Sequence, residues 1–566
     1  MDKINGSQAI IRCLQEEGVK IIFGFPGGAI IDLFDALMDS DITNVLVRHE
    51  QGAVHAADGL ARVTGEVGVA LLTSGPGATN GVTAIATAYC DSIPMVILTG
   101  QVPTPLIGND AFQEVDIVGI TRPCTKHNYL VKDAKDLVPT LREAFHIART
   151  GRPGPVLVDL PKDVVAKMID FPEKKPIRMQ TYQPNYEPHQ GQIEKACKKI
   201  LKAKNPVLYV GGGVILSNAH EELTELARKL NIPVTMTLMG LGGFPGTDPL
   251  SMGMLGMHGS YAANMAVANC DLLIAVGARF DDRVTGRLDA FAPHATIIHI
   301  DIDPTSISKN VKVDIPIVAD CKHALTAMNT WFNTSSDFNR EQVAASHEPW
   351  RATIDGWATK HPMTYIDEGE IIKPQFVIQK LDELTHGDAI ITTEVGQNQM
   401  WAAQFYKFNK PRQWATSGGL GTMGYGLPAA IGAKMAFPDK TVVDVAGDGS
   451  IQMNIQELAT AKQYKCPVKV VILNNNYLGM VRQWQELFYN KRYAGTVMDV
   501  TPDFVMLAQA YGAVGLRATK TSEVEAVLKE ALATDNTVIM DFVIAREECV
   551  FPMVPAGKAT TEMLLV

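Results

Sequence analysis

The chain has no CxxC pair. Its eight cysteines, at 13, 90, 124, 197, 270, 321, 466 and 549, stand far apart and away from any histidine-rich stretch. That pattern excludes a zinc ribbon and a disulfide framework and suits a reducing compartment. No apolar run reaches the ~18 residues that a membrane span requires. The opening stretch, MDKINGSQAIIRCLQEEGVK, mixes charged and apolar residues as a surface helix does, without the apolar block of a signal peptide. No membrane partner is expected, and the cytoplasm is the expected location. Positive charge is not in excess either: 51 Lys and Arg stand against 61 Asp and Glu, a net charge of −10. A nucleic-acid partner is therefore not expected. The P-loop pattern GxxxxGK[ST] is missing, and with it the usual ATP cradle.

What is present points to a large α/β protein. A length of 566 residues exceeds a single hydrophobic core, which stops growing near ~250 to 300 residues. Short β-branched runs recur between helical patterns: VGVALLT (67–73), MVILTG (95–100), PVLVDLP (155–161), PVLYVGGG (206–213), DLLIAVGARF (271–280), TIIHIDID (296–303), TVVDVAGDG (441–449) and VKVVILNNN (468–476). Continuous apolar strands of this kind are buried on both faces, which predicts parallel sheets covered by helices. Two polar, proline-bearing stretches, 171–190 and about 335–350, read as linkers. The expected domains are 1–170, 190–335 and 365–566.

The first and third domains echo one another. Gly75 and Gly77 precede Ala86-Thr87-Ala88, Pro94 and Val96-Ile97-Leu98; Gly447 and Gly449 precede Ala459-Thr460-Ala461, Pro467 and Val471-Ile472-Leu473. Any two βαβ units share this rhythm, so the echo favours duplication only modestly. In the third domain, Asp448 lies between two glycines at the end of a predicted buried strand. The next predicted strand ends in Asn474-Asn475-Asn476. A right-handed crossover would bring Asp448 and Asn475 together at the carboxyl ends of adjacent strands, where open α/β sheets bind ligands. A carboxylate, an amide oxygen and a backbone carbonyl are the hard ligands Mg²⁺ takes while keeping positions for phosphate. A helix beginning near Asn454 is expected to aim its first amides at that phosphate. Gly419 to Gly424 satisfies GxGxxG, but RQWATSG before it is a poor buried strand. The acidic residues beyond it, Asp439 and Asp444, fall before or inside a strand rather than at its end, so the match reads as accidental.

The pair Gly447-Asp448-Gly449 and Asn474-Asn475 resembles the diphosphate-Mg²⁺ motif of thiamine diphosphate enzymes. That likeness assigns metal ligation to Asp448, Asn475 and the carbonyl of Tyr477. From about residue 5 to about 557 the sequence resembles the catalytic subunits of the acetolactate synthase (acetohydroxyacid synthase) family. The likeness rests on FGFPGGAI (23–30), RHEQGAVHAADG (48–59), TSGPGATN (73–80), GNDAFQE (108–114), GRPGPVLVDLPKD (151–163), MLGMHG (254–259), GARFDDRVTG (277–286), SGGLGTMGYGLPAA (417–430) and YLGMVRQWQ (477–485). Phe25 stands where tyrosine is usual, and Glu394 and Asn398 are less typical of their segment.

The resemblance implies three doubly wound domains: thiamine diphosphate pyrimidine-binding and diphosphate-binding domains flanking a Rossmann-like FAD domain. It implies decarboxylation of pyruvate and condensation of the remaining two-carbon unit with a second pyruvate, giving 2-acetolactate, or with 2-oxobutanoate, giving 2-aceto-2-hydroxybutanoate. This is the first common step of branched-chain amino acid biosynthesis. Glu50 would donate to the pyrimidine ring, Met423 would hold the cofactor bent, and the Gly28 amide would face the developing oxyanion. Arg283 would receive the acceptor's carboxylate and Trp484 its alkyl group. Val395, Met257, Phe112, Gln113 and Lys162 match other active-site positions. Thiamine diphosphate contacts would come from Pro26, Gly27, Asn80, Gln101, Gln397, Gly421, Gly447, Gly449 and Ser450. FAD, structural because condensation has no redox step, would meet Arg152, Gly212, Gly213, His258, Arg279, Asp281, Asp301 and Asp320. A homodimer or homotetramer with sites between chains, and a small regulatory subunit, are implied partners. Pyruvate oxidase and simple 2-oxo acid decarboxylases share much of this plan and stay as alternatives.

Overall fold

The structure, a computed structural model, describes residues 3–566. The first unit contains β1 (Lys3–Asn5), β2 (Ile21–Phe25), β3 (Thr43–Leu46), β4 (Gly68–Leu72), β5 (Met95–Gln101), β6 (His127–Leu130), β7 (Pro155–Pro161) and β8 (Met168–Asp170). β1 and β8 form a small antiparallel ladder, and the other six build a parallel sheet in the order β3-β2-β4-β5-β7-β6. The second unit contains β9 (Pro206–Val210), β10 (Val234–Met236), β11 (Ser251–Met254), β12 (Leu272–Val276), β13 (Thr296–Asp301) and β14 (Ile315–Val318), ordered β11-β10-β9-β12-β13-β14. The third contains β15 (Ile390–Thr393), β16 (Trp414–Ala415), β17 (Val442–Gly447), β18 (Lys469–Asn474), β19 (Val514–Ala518) and β20 (Val538–Val543), ordered β16-β15-β17-β18-β20-β19.

Every apolar run read from the sequence is a strand, and most of their residues are buried because helices cover both sheet faces. Counted within each unit, the first and third sheets share the order 2-1-3-4-6-5, whereas the central sheet follows the dinucleotide-fold order 3-2-1-4-5-6. The weak echo between the outer domains thus has a full topological counterpart.

Two local expectations are corrected. Residues 171–189 carry no helix or strand, but 335–350 is not a linker. Arg340–Lys360 is one helix with Pro349 inside it. Its buried residues Val343, His347, Trp350 and Ile354 follow helical spacing. Trp350 Nε1 donates to the Pro206 carbonyl at 3.2 Å, and the His347 ring meets the Leu230 carbonyl at 2.7 Å. Burial against the central sheet outweighs the proline. The helix expected from Asn454 is likewise absent: 451–457 forms two 3₁₀ turns, and the α-helix is the short Leu458–Gln463. Asn454 turns its amide sideways to the Gly424 carbonyl at 2.6 Å, which draws the segment out of helical register.

The outer domains meet where the helix Glu50–Thr64 crosses the helix Gly426–Ala436. A Cβ on Gly59 would strike the Ala429 backbone, and one on Gly432 would strike the Ala56 carbonyl. Glycine at these two points lets the helix backbones touch. Beside the crossing, Arg62 is buried between Asp58 and Asp91, with Nη2 2.8 Å from Asp91 Oδ2. Tyr425 donates to Asp58 at 2.7 Å, and the Gly418 and Gly419 amides donate to Asp91 at 3.1 and 2.7 Å. The two carboxylates hold Arg62 firmly protonated. Removing one partner of such a cluster strands the remaining buried charges, at a cost of about 3–5 kcal/mol. Arg62→Leu should therefore lower the thermal midpoint strongly in differential scanning calorimetry, with more loss than Arg62→Lys; equal midpoints for wild type and Arg62→Leu would contradict this account.

Candidate active site

β17 and β18 are adjacent and parallel, with Gly447 opposite Leu473. That register delivers Asp448 and Asn475, each just beyond its strand, to the same rim. Asp448 is 1% exposed, and its Oδ2 has no hydrogen-bond partner. Burial pushes its carboxyl up to about 6 against the backbone amides of Asn475 and Asn476, which favour the anion. A buried carboxylate oxygen without a donor calls for a partner, and a cation bound by oxygen ligands would supply one. Asn475 is fixed on both sides: Oδ1 accepts from the Tyr477 amide at 3.1 Å and Nδ2 donates to Gln397 Oε1 at 3.3 Å. The Tyr477 ring lies under the guanidiniums of Arg482 and Arg546, at 4.9 and 4.5 Å, which steadies its backbone. Among the described residues no cluster of three or more His, Cys, Asp or Glu could hold a metal. The chemistry on offer is one carboxylate plus neutral oxygens, the donor set for a cation that also carries phosphate.

These residues open into a cavity of about 1420 Å³ between the central and third domains. Gly447, Gly449, Ser450, Gln397, Val395, Gly421, Met423 and Trp484 line it with Asp448, Asn475 and Tyr477. Val395, Met423 and Trp484 are half-buried, so they are wall rather than core. From the central domain come Met257, His258, Arg279, Asp281, Arg283, Asp301, Asp320, Gly212 and Gly213, and from the first domain Arg152. Arg283 makes no ion pair among the described residues; its guanidinium stands over the Trp484 ring at 5.9 Å. The Met257 amide donates to the Arg283 carbonyl at 2.7 Å, fastening the two loops together.

The Gly212–Gly213 turn sits at the switch point between β9 and β12, where the strand order reverses. A Cβ on Gly213 would lie 2.6 Å from Gly277 Cα, so only glycine admits the contact of the two strand ends. Tyr209 and Ser217 border the same cavity with buried hydroxyls that lack partners. A cradle of glycine turns with unpaired hydroxyls fits a nucleotide with its own polar groups. Several expected nucleotide contacts also have structural duties: Asp320 caps the helix Cys321–Thr334, Asp281 caps Asp282–Thr285, and Asp301 accepts from the Asp303 amide at 2.8 Å. Arg152 donates to Ser92 at 2.8 Å and Asp303 at 3.1 Å. His258 is held neutral, its pKa lowered to about 4 by burial.

The GxGxxG loop is not a dinucleotide cradle, for a concrete reason: three of the motif's amides, those of Gly419, Thr422 and Gly424, are already bonded within the protein. Gly418 and Gly419 donate to Asp91, Thr422 to Ser417, and Gly424 and Leu427 to Glu394. Glu394 is fully buried, and burial raises its carboxyl to about 7.

The remaining sequence-derived residues form a second group at the carboxyl ends of the first sheet, outside that cavity. Pro26, Gly27 and Gly28 follow β2, and Lys162 follows β7 and donates to the Gly28 carbonyl at 3.0 Å. Glu50 opens its helix and accepts from Asn80 at 2.9 Å. Phe112 is 88% exposed, which rules out a core role for it within this chain. Gln113 has a left-handed φ of 58°. Gln101 is a correction. It is buried, its amide nitrogen is committed to the Val115 carbonyl and Asp159 at 2.9 and 3.0 Å, and its oxygen to the Val102 amide at 2.9 Å, so its side chain is not free for a cofactor. Sequence reasoning missed Tyr209 and Asp91. A phenol inside the apolar run PVLYV was the available signal for Tyr209; Asp91 gave none, because the loop amides it binds are 327 and 328 positions away.

Comparison with known families matches residues 4–120 to the thiamine pyrophosphate enzyme N-terminal TPP binding domain, 193–328 to the central domain and 394–542 to the C-terminal TPP binding domain. The sequence is 52% identical to the acetolactate synthase isozyme 3 large subunit of Escherichia coli (strain K12), over 100% of this chain and 99% of that protein. It is 49% identical to the acetolactate synthase large subunit of Haemophilus influenzae over 100% and 99% of the two chains. It is 50% identical to a probable acetolactate synthase large subunit of Methanocaldococcus jannaschii over 99% and 95%. If Asp448 holds a divalent cation, Asp448→Ala should abolish any dependence of thiamine diphosphate binding on Mg²⁺ in titration calorimetry; an unchanged dependence would overturn that role.

Proposed function

The chain belongs to the acetolactate synthase large-subunit family of thiamine pyrophosphate enzymes, and from this premise we propose how its site joins a two-carbon unit of pyruvate to a second 2-oxo acid. The observation that carries the reading is the unpaired, buried Asp448 carboxylate beside Asn475, in a cavity that also presents Arg283 stacked on Trp484. Asp448, Asn475 and the Tyr477 carbonyl would hold Mg²⁺, with Gly447, Gly449 and Ser450 around the diphosphate. When bound, thiamine diphosphate supplies the electron sink that makes decarboxylation of a 2-oxo acid possible.

The chain's own groups do the rest. Glu50 holds and returns a proton at the pyrimidine ring, and Asn80 keeps its carboxylate aimed. Glu50, Gly28, Phe112, Gln113 and Lys162 lie outside the cavity that contains Asp448, which supports a site completed by a second copy of the chain. A homodimer is thus the smallest working unit. Met423, half-buried on the glycine loop, is the wall beneath the cofactor. Arg283 takes the acceptor's carboxylate, since its charge is not spent on any protein carboxylate. Trp484 packs against the acceptor's alkyl group, and one extra methyl in such a pocket is worth ~1–3 kcal/mol, enough to prefer 2-oxobutanoate over pyruvate. Gly212, Gly213 and Arg152 would hold FAD, in a structural capacity. The product serves branched-chain amino acid synthesis. The relatives are named large subunits, which supports a smaller regulatory companion.

The purified chain with thiamine diphosphate, Mg²⁺, FAD and pyruvate should yield acetoin only after acidification, from acetolactate. Glu50→Gln should lower that yield by ~10²–10⁴-fold; acetaldehyde or acetate as the main product would overturn the condensation. In a competition between 2-oxobutanoate and pyruvate, Trp484→Ala should lower the preference for the larger acceptor ~10-fold or more.

A further inference from the structure

Glu457 is a buried carboxylate that the mechanism above does not use. It is 1% exposed and stands on the 3₁₀ turn Ile455–Glu457 of the third domain, nine residues beyond Asp448. All of its hydrogen bonds from beyond its own segment come from the first domain. The Arg48 amide donates to Oε1 at 3.0 Å and to Oε2 at 3.2 Å, and the His49 amide donates to Oε1 at 3.0 Å. Thr460 Oγ1, one turn further on, donates to Oε2 at 2.6 Å and fixes the plane of the carboxylate. Burial raises its carboxyl above the ordinary value, while these four contacts favour the anion.

The amides so gripped are the two that immediately precede Glu50. A helix start has no acceptors of its own for its first amides, and a carboxylate there also complements the positive end of the helix dipole. The helix that begins at Glu50 is 15 residues long and is met at its first turn by Glu457. The neighbouring side chains extend the grip. Tyr464 OH accepts from the Leu46 amide at 2.7 Å and donates to the Asn44 carbonyl at 3.1 Å, and Arg48 Nη2 reaches Gln463 Oε1 at 2.7 Å. Gly52, two residues past Glu50, supplies an independent sign. A Cβ there would lie 2.6 Å from Glu457 Oε1. Glycine inside a helix costs ~1 kcal/mol relative to alanine and calls for a packing reason; admission of this carboxylate is that reason.

We propose that Glu457 is a positioning residue for Glu50: a carboxylate of the diphosphate-side domain that holds the backbone turn from which the proton-relay acid projects. The proposal rests on the reading of Glu50 as that acid. Glu50's side chain has one other fastening, the Asn80 amide, so its placement has two determinants, one at the carboxylate and one at the backbone. Glu457→Gln replaces an acceptor oxygen by an NH₂ that faces an amide donor, which lets the turn drift without removing the relay acid.

The test is hydrogen–deuterium exchange at the thiazolium C2 of thiamine diphosphate bound to the holoenzyme, read after acid quench, for wild type, Glu50→Gln, Glu457→Gln, Thr460→Val and the Glu457→Gln/Thr460→Val pair. Exchange should slow ~10- to 100-fold in Glu457→Gln, as displacement of a reacting group does. It should slow less in Thr460→Val, and no further in the pair than in Glu457→Gln. Turnover should fall in parallel, with KM for pyruvate and the calorimetric affinity for thiamine diphosphate unchanged. Wild-type exchange in both single variants, with Glu50→Gln impaired, overturns the positioning role and leaves the relay reading intact. Wild-type exchange in Glu50→Gln overturns the relay reading itself. If Glu457→Gln does not fold, Thr460→Val, which removes one hydroxyl, decides the matter by the same exchange rate.

Discussion

The architecture depends on the contact between the helix Glu50–Thr64 and the helix Gly426–Ala436, where two outer domains of the same strand order are joined with their backbones in touch. Gly59 and Gly432 allow the backbones to touch, and the Asp58–Arg62–Asp91 cluster with Tyr425 fixes the angle at which they do so. Apolar packing is indifferent to small rotations. A buried guanidinium between two carboxylates is not, because each hydrogen bond lost there leaves an unsolvated charge. From this seam, Asp91 reaches the glycine loop beneath Met423, and the same helix begins with Glu50. The turn before Glu50 and the glycine loop are thus tied to one contact.

A common device recurs around the site. Asp91 takes the amides of Gly418 and Gly419, Glu394 those of Gly424 and Leu427, and Glu457 those of Arg48 and His49. In each case a buried carboxylate from one element binds the backbone of another. Backbone amides cannot leave their chain, so such bonds specify loop shape more tightly than contacts between mobile side chains. Asp448 differs from these three, since one of its oxygens has no protein donor.

The parallel sheets were legible because strands covered on both faces must be continuous apolar runs. The adjacency of Asp448 and Asn475 was legible because a strand–helix–strand repeat fixes how far apart two rim residues fall. Less was visible where tertiary contact overrules local pattern. The segment 335–350 carries charge and a proline, yet Trp350 and Ile354 complete a buried stripe on the central sheet. Gln101 ends a strand at the right rim, but neighbours in the fold consume both ends of its amide. Asp91, Glu394 and Glu457 are single acidic residues in ordinary sequence surroundings, and their meaning lies in amides that local sequence does not bring near. The separation of the expected site residues into a group lining the cavity and a group at the rim of the first sheet agrees with the sequence reading, which put the acid and the metal pair on different domains.

The glycine loop from Ser417 to Leu427 has a consequence for how the protein acquires its ligands. Gly421 and Gly424 hold left-handed φ values of 75° and 88°, and the amides of Gly418, Gly419, Thr422, Gly424 and Leu427 are bonded within the protein before anything binds. The conformational entropy of this segment is therefore surrendered when the chain folds and not at each encounter with a cofactor. Loss and recapture of cofactor at this wall resemble a key leaving and returning to a rigid lock: the apo state keeps its shape in memory, and rebinding there needs no local refolding.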